Sequence, residues 1–261
     1  MLLENKNAIV YGAGGAVGGA VARAFAREGA KVFLAGRTLT KLDAVTKDIT
    51  SAGGAAETAQ VDALDEQAVE NYVKTIADKA GSIDISFNAV GIEASLGKPI
   101  AEMSAEDFDK PLAQMIRTQF VTAKAAAQHM IPQGSGVILT ITSPHGRLPA
   151  PNFGPVDAIQ ASIEGFCRQL AAELGPQGIR VICIRSAGSP DSPSMAEVGR
   201  MMAETSDMSK EEMQAKANEG LLLRRFPMLA EISNVAALMA SDMASPMTAT
   251  FANATCGAII D

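Results

Sequence analysis

Glycine crowds the stretch Tyr11-Gly12-Ala13-Gly14-Gly15-Ala16-Val17-Gly18-Gly19, directly behind the apolar run Ala8-Ile9-Val10. An alanine-rich pattern of helical character follows at once. A strand, a tight turn and a helix in that order open a dinucleotide-binding unit. The first N–H groups of a helix have no intrahelical acceptor, and the helix dipole is positive there, so a pyrophosphate is favoured. Gly12, Gly14, Gly15 and Gly18 let the backbone come close to it. Ordinary strand–turn–helix units share the pattern, so the turn marks a nucleotide site without naming an activity. Arg37, behind Lys31-Val32-Phe33-Leu34-Ala35-Gly36, carries a second signal. An acid at the end of a second strand would bind a ribose 2′-hydroxyl, whereas an arginine accommodates a 2′-phosphate. With no acid at 36 or 37, NADP is expected over NAD; the alternative is a solvated arginine. The third signal is Ile141-Thr142-Ser143-Pro144-His145-Gly146. Ser143 can orient an oxygen. Histidine changes charge between about pH 5 and 8, so His145 is a candidate acid or base, and a solvated loop histidine is the plainer reading. Asp157 follows Val156 but is turned about 100° around the helix from it, so it is expected to face elsewhere. Glu93 is a further candidate for the pocket wall, against a surface carboxylate.

These residues need elements to hold them. Strands are expected over Asn7–Tyr11, Lys31–Gly36, 55–61, 83–87, 137–141 and 179–184, with a seventh near Thr250–Asn253. Helices are expected over 16–27, 39–51, from a cap at Asp65 to Gly81, from the Ser104 cap to about Met130, from Pro155 along the stripe Val156, Ile159, Ile163, Phe166 and Leu170, and over 230–240. Pro132 to Gly136 should end the long fourth helix. Strands alternating with helices predict an α/β fold: one Rossmann-type doubly wound domain spanning 1–261. Its seven-stranded, mostly parallel sheet carries helices on both faces. Ligands belong at the carboxyl ends of its strands.

Composition narrows the function classes. A net charge of -7 argues against nucleic acid and against an anionic membrane surface. No apolar run reaches the length of a membrane span, and Met1-Leu2-Leu3-Glu4-Asn5-Lys6 lacks the layout of a signal peptide. Cys167, Cys183 and Cys256 have no ligand spacing and read as reduced residues of a cytoplasmic protein. Two histidines are too few for a histidine-based metal site, and no metal is expected. A loosely patterned segment over 189–220 holds Met195, Met201, Met202, Met208 and Met213. Methionines adapt to apolar ligands; core packing is the equal alternative. Ser209-Lys210-Glu211-Glu212 can cap a helix within it.

Taken together, the motifs resemble the short-chain dehydrogenase/reductase family over essentially the whole chain. Gly12 and Gly18 stand in place within Thr-Gly-x-x-x-Gly-x-Gly. Asp62, with Ala63 beside it, matches an acid that usually contacts the adenine. Asn88-Ala89-Val90-Gly91 stands where the family has Asn-Asn-Ala-Gly, and Ser143 matches the catalytic serine. The resemblance implies NAD(P), a small substrate of apolar or weakly polar character, a lid at about 189–220, and a homodimer or homotetramer packed through helices near 106–130 and 155–174.

Departures from the pattern concern the chemistry. Tyr11 replaces threonine, Ala16 replaces the middle glycine, and Val17 stands where Gly-x-Gly-x-x-Gly has its last glycine. The family places Tyr-x-x-x-Lys thirteen residues after the serine; this chain has Val156 and Gln160. The asparagine of the preceding helix falls on Met115. Ser143 alone remains of four catalytic positions. Three readings stay open: an oxidoreductase moving hydride between NADP(H) and a small carbonyl or alcohol, with His145 substituting; a repurposed lyase or isomerase; and a non-catalytic cofactor-binding, regulatory or oligomer-partner protein.

Overall fold

The computed structural model describes every residue except 95, 194, 196–208 and 261. Seven strands form one sheet in the order β3-β2-β1-β4-β5-β6-β7: β1 (Asn7–Tyr11), β2 (Lys31–Gly36), β3 (Ala55–Gln60), β4 (Ile85–Asn88), β5 (Gly136–Thr142), β6 (Ile179–Ser186) and β7 (Thr250–Ala254). Every neighbouring pair is parallel. The seven α-helices among the described residues are α1 (Ala16–Arg27), α2 (Leu39–Ser51), α3 (Glu66–Ala80), α4 (Ala105–Gln133), α5 (Val156–Leu174), α6 (Lys210–Glu219) and α7 (Leu229–Ala240).

Strand alternation divides the core in two. Ala8 and Val10 point to one face, where Val21 and Phe25 of α1, Leu42 and Val45 of α2 and Ala236 of α7 cover them. Ile9 and Tyr11 point to the other, under Val69 and Val73 of α3, Val121 and Ala126 of α4 and Ile159 and Ile163 of α5. Burial on both faces accounts for the nearly continuous apolar runs of β1 and β2.

Register brings the strand ends to one rim. Tyr11 lies opposite both Ala35 and Asn88. The Ala13 N–H donates to the Ala35 carbonyl and the Ala89 N–H to the Tyr11 carbonyl, at 3.2 and 3.1 Å. The strand order reverses between β2 and β4 around β1, which opens a crevice above their carboxyl ends.

Several boundaries differ from expectation. Ile83 precedes β4 rather than starting it: its N–H donates to the Gln133 side chain at 3.0 Å, and its carbonyl accepts from the same side chain. Pro132 lies inside the last turn of α4, which stops at Gly134 with φ at 67°. Pro155 is the N-cap of α5 rather than part of its first turn. The expected cap at Ser209 is present as a reciprocal box: its Oγ accepts from the Glu212 N–H at 3.2 Å, and Glu212 accepts from the Ser209 N–H at 2.8 Å. Of the segment at 189–220, Met201, Met202 and Met208 lie outside the described residues. No helix among the described residues is long and apolar enough to cross a membrane.

Candidate active site

The glycine turn is shaped by close backbone approach. Gly12 has φ at +71°, and a side chain there would place its Cβ 2.5 Å from the Ala89 carbonyl oxygen. A Cβ at Gly18 would lie 2.3 Å from the Gly12 carbonyl oxygen. The Gly15 N–H closes the turn on that same oxygen at 2.9 Å. Gly15 is the N-cap of α1 and supplies no side-chain acceptor. The N–H groups of the first turn of α1 are therefore left for an outside acceptor.

A groove of about 320 Å³ runs along the rim and is lined by Gly12, Gly14, Gly15, Arg37, Asp62, Ala63 and Gly91, which the sequence had singled out. Three other candidates support it from behind. Gly18 is buried under Gly12, and Val17 packs against the core beside α1. Asn88 is 3 % exposed; its amide donates to the Thr118 carbonyl and to Thr122 Oγ1, and its Oδ1 accepts from the Val90 N–H. Asn88 thus fixes the loop after β4 and does not itself line the groove. Asp62 turns one carboxylate oxygen to the Leu64 N–H at 3.0 Å. Glu93 is exposed and lies off the groove.

Sequence reasoning missed two groove residues. Thr38 and Lys41 line it beside Arg37. Thr38 is the N-cap of α2 with no side-chain cap bond, and Lys41 lies in the first turn of that helix. The signal that could have found Lys41 was its place in the first turn of a helix that opens directly behind Arg37. This corner holds two cations, a hydroxyl and a helix N-terminus, a combination suited to a phosphate.

The second part of the site lies at the end of β5. The Ser143 N–H donates to Gln160 Oε1 at 3.0 Å, and Ser143 Oγ accepts from the His145 N–H at 3.4 Å. Gln160 therefore clasps the loop to α5, a role its place in the motif did not reveal. The loop lies close on that helix, since a Cβ at Gly146 would sit 3.2 Å from the Ala161 nitrogen. His145 packs on Phe153 with ring centroids 4.6 Å apart. Its Nδ1 lies 3.0 Å from the Leu148 carbonyl oxygen. A carbonyl only accepts, so Nδ1 carries a hydrogen in this bond and the exchangeable position is Nε2.

Asp157 corrects the expectation that it faces away. Its Oδ1 lies 3.9 Å from His145 Nδ1. That oxygen is buried and has no hydrogen-bond partner in the protein. The loop 143–155 folds back over the first turn of α5 and brings imidazole and carboxylate together. Val156, beside Asp157 at the start of α5, brings no proton-bearing group to this part of the site. Among the described residues no cluster of His, Cys, Asp and Glu is suited to a metal.

Comparison with known proteins agrees with this geometry. The family model described as enoyl-(acyl carrier protein) reductase matches residues 12–258. An uncharacterized oxidoreductase of Thermotoga maritima is 30% identical over 253 residues, 97% of each chain. Gluconate 5-dehydrogenase of Gluconobacter oxydans is 32% identical over 179 residues, 69% of each. An NAD+-bound xylitol dehydrogenase has the same fold, with a TM-score of 0.91 over 98% of this chain and 100% of that one at 24% identity. Glycine turn, rim groove, seven-stranded parallel sheet and full-length matches lead to one conclusion: the chain belongs to the short-chain dehydrogenase/reductase family of NAD(P)-dependent oxidoreductases.

Proposed function

We propose that the protein is an NADP(H)-dependent oxidoreductase acting on a small carbonyl or alcohol, with His145 in the place of the absent tyrosine acid. The observation that carries the reading is the single groove joining the uncapped α1 N-terminus to the Arg37–Thr38–Lys41 corner. The groove fits a dinucleotide: the Gly12 and Gly18 positions leave no room for side chains, so the backbone forms the cradle. Gly14, Gly15 and the first turn of α1 would take the pyrophosphate, Asp62 and Ala63 the adenine, and Arg37 with Lys41 a 2′-phosphate. When bound, the nicotinamide supplies the hydride chemistry.

The chain's own task is the proton. His145 would exchange it at Nε2 with a substrate oxygen, while Leu148 and Asp157 orient the ring from the Nδ1 side. Ser143 would hold that oxygen in place. The substrate would be small and weakly polar, and the lid over 189–220 would cover it. Phe120 on α4, 48 % exposed and edge-on to Phe166 of α5, gives these helices an apolar patch suited to a second copy in a dimer or tetramer. Free Cys167, Cys183 and Cys256 suit the cytoplasm.

Titration of intrinsic fluorescence quenching and of NADPH and NADH emission tests the cofactor half. NADPH should bind at least tenfold more tightly, and Arg37→Gln should erase the difference; equal affinities in the wild type would overturn the NADP assignment. For catalysis, His145→Ala should keep cofactor affinity and cost about 10²- to 10⁴-fold in carbonyl reduction, the range of a positioned acid. Turnover unchanged in that variant would remove His145 from the mechanism. A second reading, a repurposed or non-catalytic member, is favoured by the clasp itself, which engages Gln160 with Ser143 where the family has a lysine. Tight NADPH binding with no turnover of any carbonyl would select it.

A further inference from the structure

Directly behind β5 the backbone has already spent its donors. The Ser143 N–H is taken by Gln160 Oε1 at 3.0 Å, Pro144 has no N–H, and the His145 N–H goes to Ser143 Oγ at 3.4 Å. A negative charge that develops beside Ser143 must therefore be met by side chains. One is the Ser143 hydroxyl, whose oxygen accepts from His145 and whose hydrogen has no acceptor among the described residues. The other is the nitrogen of the Gln160 amide. Its Oε1 is held by the Ser143 N–H, and Nε2 makes no hydrogen bond to a described residue. Gln160 is half-buried, and its nitrogen keeps contact with solvent.

The amide is held in one orientation. A half-turn would set its NH₂ group against the Ser143 N–H, donor against donor. Its stem is held as well: a Cβ at Gly146 would sit 3.3 Å from the Gln160 Cβ, so the 144–146 turn lies directly on it. Oxygen and nitrogen share one amide carbon, which keeps Nε2 in the neighbourhood of Ser143. The two donors are neutral, fixed before a ligand arrives, and carried by the end of β5 and by α5. Donors arranged in this way stabilise charge on a carbonyl oxygen without reorganising.

We propose that Gln160 is a catalytic residue: its Nε2 donates to the same substrate oxygen that the Ser143 hydroxyl holds, and the pair forms a two-donor oxyanion site. The proposal rests on the oxidoreductase reading and assigns its substrate contact. A carbonyl oxygen has two lone pairs, one for each donor. On reduction the hydride bonds to the carbonyl carbon, the π pair of the C=O bond becomes a third lone pair on oxygen, and that pair takes the proton from His145 Nε2. Both donors tighten as the charge grows, so they favour the transition state over the bound ketone.

Gln160→Glu separates the two ends of the amide, because an ionised carboxylate still accepts the Ser143 N–H but has no hydrogen to donate. Cyclohexanone is the probe, followed by infrared spectroscopy on the full chain loaded with NADP+, which cannot reduce it. In the wild type the bound carbonyl band should lie at lower wavenumber than in water, and Gln160→Glu should move it back up. With NADPH, the same variant should lose about 10²- to 10³-fold in kcat, with cofactor affinity within about threefold. Gln160→Met, which removes acceptor and donor together, should lose as much activity and melt lower than Gln160→Glu. The proposal fails if Gln160→Glu keeps the wild-type band and kcat, or if Gln160→Met alone is impaired, which would leave the amide a fastener only. It fails equally if NADPH affinity falls tenfold while the band stays, which would put the amide on the cofactor, or if the wild type shows no bound band. A lowered band that Gln160→Glu abolishes, in a wild type that turns over no ketone, upholds the contact and overturns the oxidoreductase reading instead.

Discussion

Gly18→Ala is the sharpest test of the cradle. The new Cβ would stand 2.3 Å from the Gly12 carbonyl oxygen, 2.8 Å from its carbon and 3.0 Å from the Ala13 Cα. All three atoms belong to the main chain, so no side chain can swing aside. Ordinary contact begins at 3.4 Å, so the turn and α1 must separate by roughly 1 Å. Overpacking of this kind costs about 1–3 kcal/mol, and alanine in a helix returns about 0.8–1 kcal/mol. The net loss is about 0–2 kcal/mol, a fall in Tm of up to about 4–8 °C for a chain of this size. Displacing the turn also misaligns the N–H groups that would meet a pyrophosphate. Losing one hydrogen bond to a charged group costs about 1.5–3 kcal/mol, or roughly 10- to 150-fold in NADPH affinity. Gly165→Ala, in α5, is the control, since a Cβ there would meet nothing nearer than 3.9 Å. It should raise stability by about 0.5–1 kcal/mol and leave affinity within about twofold. Calorimetric melting and NADPH titration read both effects. A Gly18→Ala protein that melts within 1 °C of wild type and binds NADPH equally well would refute the reasoning.

Three further outcomes follow from other parts of the molecule. Glu164→Gln removes the carboxylate that the buried Arg185 grips at 2.6 and 2.8 Å and should lower unfolding stability by about 3 kcal/mol, read as a fall in the urea midpoint at constant slope. The Arg225 guanidinium, with the Met228 N–H, holds the Glu231 carboxyl down at about 2, against an ordinary 4.5. A depressed folded value gives stability that is complete above 4.5 and is lost as pH falls toward about 2; Arg225→Gln should flatten the melting temperature against pH across that window. Tyr11 and Tyr72 meet edge to face, with ring centroids 6.5 Å apart, and neither buried hydroxyl has a protein partner. Tyr11→Phe should therefore cost less than about 0.5 kcal/mol, or stabilise, because removing a buried hydroxyl forfeits no protein bond; a loss above 1 kcal/mol in chemical denaturation would contradict this.

The sheet and its helices were legible because they rest on local periodicity. β1, β2, α1 and α2 begin and end where apolar runs, helical spacing and glycine stops put them. Ile83 misled because burial without strand pairing looks the same in sequence: it is fully buried, yet a side chain satisfies its backbone. At the site, the glycine turn, Arg37 and Asp62 were readable, since each follows a strand end directly. Asp157, Gln160 and Lys41 were not. A helical wheel reports which way a residue points from its own axis, and what lies there depends on how the next loop folds back. The stacking of Arg185, paired with Glu164, on Phe251 was still further from view, because Phe251 is distant in sequence and reaches Arg185 through the β6–β7 pairing.

The clasp between Gln160 and Ser143 has a consequence for any redesign of this site. An amide oxygen receives the Ser143 N–H. A lysine at 160 would face that donor with an ammonium, which only donates. Gln160→Lys made first therefore orphans a partly buried N–H before any phenol stands at 156 to benefit from the new cation. The loop must acquire another acceptor beforehand, or Val156→Tyr and Gln160→Lys must be introduced together. The amide is a structural fastener, so a proton-donating pair cannot be grafted onto this scaffold one residue at a time.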